Sequence, residues 1–196
     1  MIYYKKGGNV RLRSLLLIIA VTFSLSLSQE LLLNGNFEQD LSIGWTRTDS
    51  GYGTHQVLRG TEYQPDPDYE AWVYQYDNPG WTRLSQRVEV PGVALQLSFW
   101  AKFAQSGGTS TCWPAACFQV CYYDADANLL GETRYFYSTY ATWTPSPVLS
   151  LYRITNPDWN RYELNIADEL TSNLPGVNPS DVAFVEVALW SYTYSG

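Results

Sequence analysis

The chain has 196 residues, 19 acidic against 12 basic for a formal net charge of −7, and 16% of it is Phe, Tyr or Trp. That length suits one domain, and that charge excludes nucleic acid and anionic lipid as main partners. A single histidine, His55, lies far from the three cysteines, so zinc lacks a fourth ligand.

The N-terminus carries Lys5, Lys6, Arg11 and Arg13 with no acidic residue, followed by a 13-residue apolar run from Leu15 to Leu27. The run closes on Ser26-Leu27-Ser28. Basic, apolar, small-x-small is the order of a cleavable secretory signal. An uncleaved anchor is the alternative, but 13 residues rise only about 20 Å in a helix, against a hydrocarbon core of roughly 30 Å. Residues 1–28 are therefore expected to be a signal peptide, and residues 29–196 a secreted domain free of the membrane. All 19 acidic residues but only 8 of the 12 basic ones follow the leader, which leaves the domain at −11.

Beyond the leader, short runs rich in Val, Tyr, Phe, Trp and Thr are parted by Gly, Pro, Asn and Asp, the pattern of strands and turns. Strands are predicted over 45–49, 54–59 and 71–76. The segment 82–90 puts Leu84, Val88 and Val90 on one face with Gln86 among them, and Arg83, Arg87 and Glu89 on the other. In 95–103, Leu95, Leu97, Phe99, Ala101 and Phe103 alternate with Gln96, Ser98, Trp100 and Lys102. Period-two alternation marks a strand with one buried face. Residues 117–124 and 132–140 read as a hairpin over an Asp/Asn-rich turn. Segments 159–166 and 183–190 complete nine strands, with one helical turn expected between Asp168 and Leu174. The pattern predicts an all-β, two-sheet antiparallel sandwich.

Three cysteines fall within ten residues, and export makes a disulfide reasonable. Cys117 and Cys121 lie roughly 13 Å apart on an extended stretch, too far to pair. Cys112–Cys117 would close a loop through Trp113-Pro114 and leave Cys121 free; three unpaired thiols are the alternative.

The order of segments is also informative. LLLNGNFEQDLSIGW (31–45), LSQRVEVPGVALQLSFWAKF (84–103), VCYYDADANLLG (120–131), DWNRYELNI (158–166) and VAFVEVALW (182–190) together resemble carbohydrate-binding modules of the cellulose- and xylan-binding type, families four, nine and twenty-two. The resemblance implies a galactose-binding-like jelly roll and non-catalytic binding of a polysaccharide or oligosaccharide, typically beside a glycoside hydrolase. It also implies a structural calcium, for which Glu38 matches the opening motif. The usual closing acidic strand is absent, so the final strand is expected to be missing.

Binding a sugar requires flat aromatic faces against C–H surfaces and polar groups against hydroxyls. Parity separates core aromatics (Phe99, Phe103, Phe118, Tyr122) from Trp100, Gln119, Tyr123, Glu186 and Trp190, which are predicted to line a groove. Among loop aromatics, Trp81 joins this set, with Trp113 and Trp143 as further candidates. The loop 62–70 reads as a stiff, solvated acidic segment. No carboxylate pair and no Ser/His/Asp arrangement stands out, so no catalytic residue is predicted. The competing reading is an adhesion or structural sandwich of an exported surface protein.

Overall fold

The structure, a computed structural model, describes residues 30–61 and 68–195. The leader expected over 1–28, and positions 62–67 of the acidic loop, lie outside the described residues.

Alternation dictates most of the architecture. Ten strands form: β1 (Thr46–Gly51), β2 (Thr54–Gly60), β3 (Glu70–Tyr76), β4 (Gly80–Glu89), β5 (Gln96–Ala101), β6 (Cys112–Tyr123), β7 (Leu129–Tyr137), β8 (Leu149–Arg153), β9 (Asn160–Asn165) and β10 (Phe184–Ser195). A six-stranded sheet runs in the order β1-β4-β10-β6-β7-β8. Two separate pairs, β2–β3 and β5–β9, cover one of its faces. The fold is thus an all-β sandwich, as its alternating segments predict.

Three features differ in detail from the sequence expectation. Strand β8 is an addition, paired in parallel with β7 at the sheet edge, so the ladder is not wholly antiparallel. Its LSLYR segment is short and closely follows two prolines, which hides it. The last strand also sits centrally: β10 is hydrogen-bonded to β4 on one side and β6 on the other. The described sheet therefore ends at β1 and β8, and no gap lies beside its C-terminal strand. Finally, the expected Cys112–Cys117 disulfide is not formed. Both residues lie on the extended strand β6, five positions apart and on opposite faces, and all three thiols are free.

Between the layers, Leu84, Val120, Tyr122, Val185 and Val187 of the large sheet meet Val57, Val73, Leu97, Phe99 and Leu164 of the two pairs. Phe99 stacks on Phe118 with ring centroids 3.7 Å apart. A short helix, α1 (Ile166–Ser172), closes one end, with Leu170 and Leu174 fully buried. Asn165 caps it by accepting the Asp168 N–H at 3.1 Å, and Asp168 and Glu169 in the first turn complement the helix dipole. Glu169 is buried but satisfied, accepting from Thr133, Tyr152 and Asn173. At the other end, Gly51 faces Gly80 across β1 and β4, and a Cβ on Gly51 would meet the Pro79 carbonyl at 2.4 Å.

Truncating Leu170 to Ala should cost about 2–5 kcal/mol, because it empties a fully enclosed site. Leu33→Ala, at a side chain 63% exposed, should stay within about 0.5 kcal/mol. Urea denaturation of both variants checks the placement of the core.

Candidate functional site

The second face of the six-stranded sheet carries the chemistry. The pairing registers place its outward side chains in rows across β4, β10, β6 and β7. One row is Arg87–Glu186–Cys121–Glu132, the next Ser85–Ala188–Gln119–Arg134, and the next Arg83–Trp190–Cys117–Phe136. Trp81 and Tyr192 face one another in the row beyond.

Glu186 is the hub. Its side chain is only 9% exposed, and it pairs with Arg83 at 2.6 Å and Arg87 at 3.3 Å and accepts from the Tyr123 hydroxyl at 3.1 Å. Arg87 also lies over the Tyr123 ring, 3.7 Å from its centroid. Arg83 donates onward to Gln119 at 3.1 Å and to the Cys121 sulfur at 3.6 Å. Gln119 donates to Glu132, which pairs with Arg134. Burial pushes the Cys121 thiol up to about 12, with Glu132 adding to the effect. Burial likewise raises Tyr123 to about 12, helped by Cys121 and Glu186. Both groups therefore stay protonated, and the Tyr123 hydroxyl serves as a donor.

An aromatic wall borders this network. Trp143, from the loop after β7, stacks on Trp190 at 5.6 Å and 13° and meets Trp113, Phe136 and Tyr192. The Arg134 guanidinium lies over both Trp143 and Trp190, 4.7 and 5.2 Å from their ring centroids. A hollow of about 450 Å³ opens beside the hub, lined by Gly44, Thr46, Thr48, Arg83, Ser85, Gln86, Arg87, Tyr123 and Glu186.

Five of the six residues expected in the groove share this face: Trp81, Gln119, Tyr123, Glu186 and Trp190. Trp100 does not. It lies on β5, which pairs with β9 in the facing layer, and it points away from the core, 63% exposed. Parity fixes a side only within one sheet, and β5 belongs to another. Trp190 is also less open than expected, because Trp143 covers it. Sequence reasoning did not single out Arg83, Arg87, Thr46, Thr48 and Ser85. Parity along β4 holds the signal for three of them, since Arg83, Ser85 and Arg87 alternate with Leu84, Gln86 and Val88.

The surroundings of Glu38 do not fit calcium. Its carboxylate accepts the Tyr69 N–H at 3.0 Å, and the Phe37 and Glu38 carbonyls accept from the Arg59 guanidinium at 2.5 and 2.8 Å. Arg59 in turn lies over the Tyr69 ring, 3.4 Å from its centroid. The Arg59 guanidinium thus engages the two carbonyl oxygens beside the Glu38 carboxylate. Among the described residues, no group of three His, Cys, Asp or Glu side chains is placed to hold a metal ion.

No family model matches the sequence, and no curated protein matches it. Solved structures do. The enzymatically active domain of bacteriophage CBA120 tailspike protein 4 superposes with a TM-score of 0.51 and 17% identity over 85% of this chain. This chain spans only 20% of that one. TmCBM61, solved with β-1,4-galactotriose, matches at a TM-score of 0.43 and 15% identity, over 86% of this chain and 96% of that one. The C-terminal family 22 carbohydrate-binding module of Clostridium thermocellum Xyn10B matches at 0.41 and 13%, over 81% and 87% of the two chains. Carbohydrate-binding modules are thus among the solved structures this chain resembles.

At pH 8 a thiol reagent should label one cysteine, the exposed Cys112, and all three only after denaturation. The folded chain holds protons on Cys117 and Cys121 that the unfolded chain releases near its ordinary pKa of about 8.5. Stability should therefore be full below that pH and fall as pH rises from about 8.5 towards 12, by up to about 1.4 kcal/mol per unit for each thiol. Denaturation at pH 7.5, 9 and 10 reads that slope. At the N-terminal loop, Arg59→Ala should cost about 1.5–3 kcal/mol through two lost charge-assisted bonds. Thermal unfolding of the wild type should not shift with calcium or chelator.

Proposed function

We propose that this chain binds carbohydrate non-catalytically through the outer face of the six-stranded sheet. The observation that carries the reading is the Glu186–Arg83–Arg87–Tyr123 network set beside the Trp143–Trp190 wall. Fixed donors and acceptors meet sugar hydroxyls, while the aromatic flank covers the apolar C–H surface of a ring. The hydroxyls of Thr46 and Thr48 on β1, and of Ser85 between Arg83 and Arg87 on β4, supply further partners in the hollow.

Catalysis is not part of this reading. Glu186 and Glu132 stand on one row two strands apart, but arginine already engages each of them. His55 bonds Thr82 on the inner side of β4, away from Tyr123 and the arginines. The secretory leader makes the natural partner an extracellular polysaccharide or oligosaccharide, and a glycoside hydrolase is the activity such a module would serve. An adhesion module would present a flat, exposed aromatic patch. Here the aromatic cluster of this face is instead half-buried around Trp143.

Titration with cello-, xylo- and galacto-oligosaccharides, followed by tryptophan fluorescence and calorimetry, should give a Kd between micromolar and millimolar for at least one, about 4–8 kcal/mol. Trp143→Ala, checked for folding by circular dichroism, should weaken that binding tenfold or more. Flat titrations across every sugar would overturn the reading.

A further inference from the structure

We propose that the hollow beside Glu186 selects a sugar bearing a carboxylate, a uronic acid residue, and that Arg87 is the group that reads it. The proposal rests on the carbohydrate-binding reading and narrows it to a chemical class.

The charge balance of the hollow motivates it. Two guanidiniums, Arg83 and Arg87, line it against a single carboxylate, Glu186. Arg83 is committed: its Nε donates to Gln119, and its Nη2 meets both Glu186 and Cys121. Glu186 is committed as well, since it accepts from Arg83, Arg87 and Tyr123. Arg87 differs. Only its Nε is engaged, at 3.3 Å, and its terminal nitrogens have no acceptor among the described residues. Glu89, next on the same face of β4, forms no ion pair with it among those residues. One unit of positive charge in the hollow is therefore unmatched, although the domain as a whole is strongly negative.

The geometry of Arg87 also suits a planar anion. Its Nε bond to Glu186 and its stacking on Tyr123 hold the guanidinium plane in place, while its side chain remains 35% exposed. A guanidinium so fixed presents a fork that pairs with a carboxylate through two parallel N–H···O bonds, with little ordering left to do on binding. A neutral sugar hydroxyl uses only one arm of that fork and leaves the charge unmatched. Beside it, the Ser85 hydroxyl on the same strand and those of Thr46 and Thr48 on β1 remain for the ring hydroxyls of the same residue.

The test compares acidic oligosaccharides with their own methyl esters, which keep the ring and remove the charge. Calorimetry would use trimers of galacturonate, guluronate, mannuronate and glucuronate, each beside its ester, together with neutral trimers and a sulfated one. At least one acid should bind tenfold or more tightly than its ester, and Arg87→Gln, shown folded by thermal unfolding, should abolish that ratio. Esters binding as tightly as acids would overturn this inference while leaving carbohydrate binding intact. A sulfated trimer matching the best acid would show that the hollow reads charge and not a carboxylate, and would also overturn it. Absence of binding by every trimer, acidic or neutral, would remove both readings together.

Discussion

A carboxylate on the central strand of the sheet governs the arrangement of its outer face. Glu186 is on β10, which has strand neighbours on both sides, so main-chain packing leaves its side chain 7% exposed as a residue. Burying a charge costs several kcal/mol unless partners replace the lost water. Here Arg83, Arg87 and Tyr123 replace it, and each is then fixed by the demand it meets. Arg83 carries the constraint across to Gln119 and Cys121, Gln119 passes it to Glu132, and Glu132 to Arg134. A line of polar contacts thus crosses β4, β10, β6 and β7. These side chains hold one another in place, which would leave less ordering to do on ligand binding.

The two faces of the sheet divide the work. Leu84, Val187, Val120 and Tyr122 pack inward and set the strand order. Their outward neighbours are then placed by the pleat, free to be polar wherever partners exist. Aromatic bulk gathers at one end, where Trp113, Phe136 and Trp190 meet Trp143 from the loop. Charge gathers at the other, around Arg87 and Glu186. The face is therefore asymmetric along the strands. A ligand lying along the strands would meet an apolar surface at one end and a hydrogen-bonding one at the other.

Much of this was legible in the sequence. Alternation located nine strands and separated Phe118 and Tyr122 from Gln119 and Tyr123 on β6 alone. What alternation lacks is information between strands. Trp100 has the right parity on β5 but lies in the facing layer, because strand order is set by packing partners that no local pattern names. The parallel β8 was hidden for a related reason: a five-residue edge strand that pairs with only one neighbour needs little alternation of its own. Arg83 and Arg87 were visible as outward residues, but their importance depends on Glu186, 99 positions from Arg87, becoming their neighbour. The same limit applies to Arg59. Nothing local ties it to the Phe37 carbonyl 22 residues away, yet that contact takes up a carbonyl oxygen beside Glu38.

The negative charge of the domain opposes an acidic ligand at long range, but a contact pair acts over a shorter distance. At physiological salt the Debye length is about 8 Å, so the diffuse field of exposed carboxylates is largely screened at the hollow, while a contact pair with Arg87 is not. The contact pair would then outweigh the diffuse field. That division also separates a uronate from nucleic acid. A duplex presents a continuous row of phosphates and requires a matching row of cations, each adding to affinity. This face offers one unmatched guanidinium bordered by Glu186, Glu132 and Glu89. On the uronate reading, it would take the carboxylate of one ring at a time along a hydroxyl-rich chain.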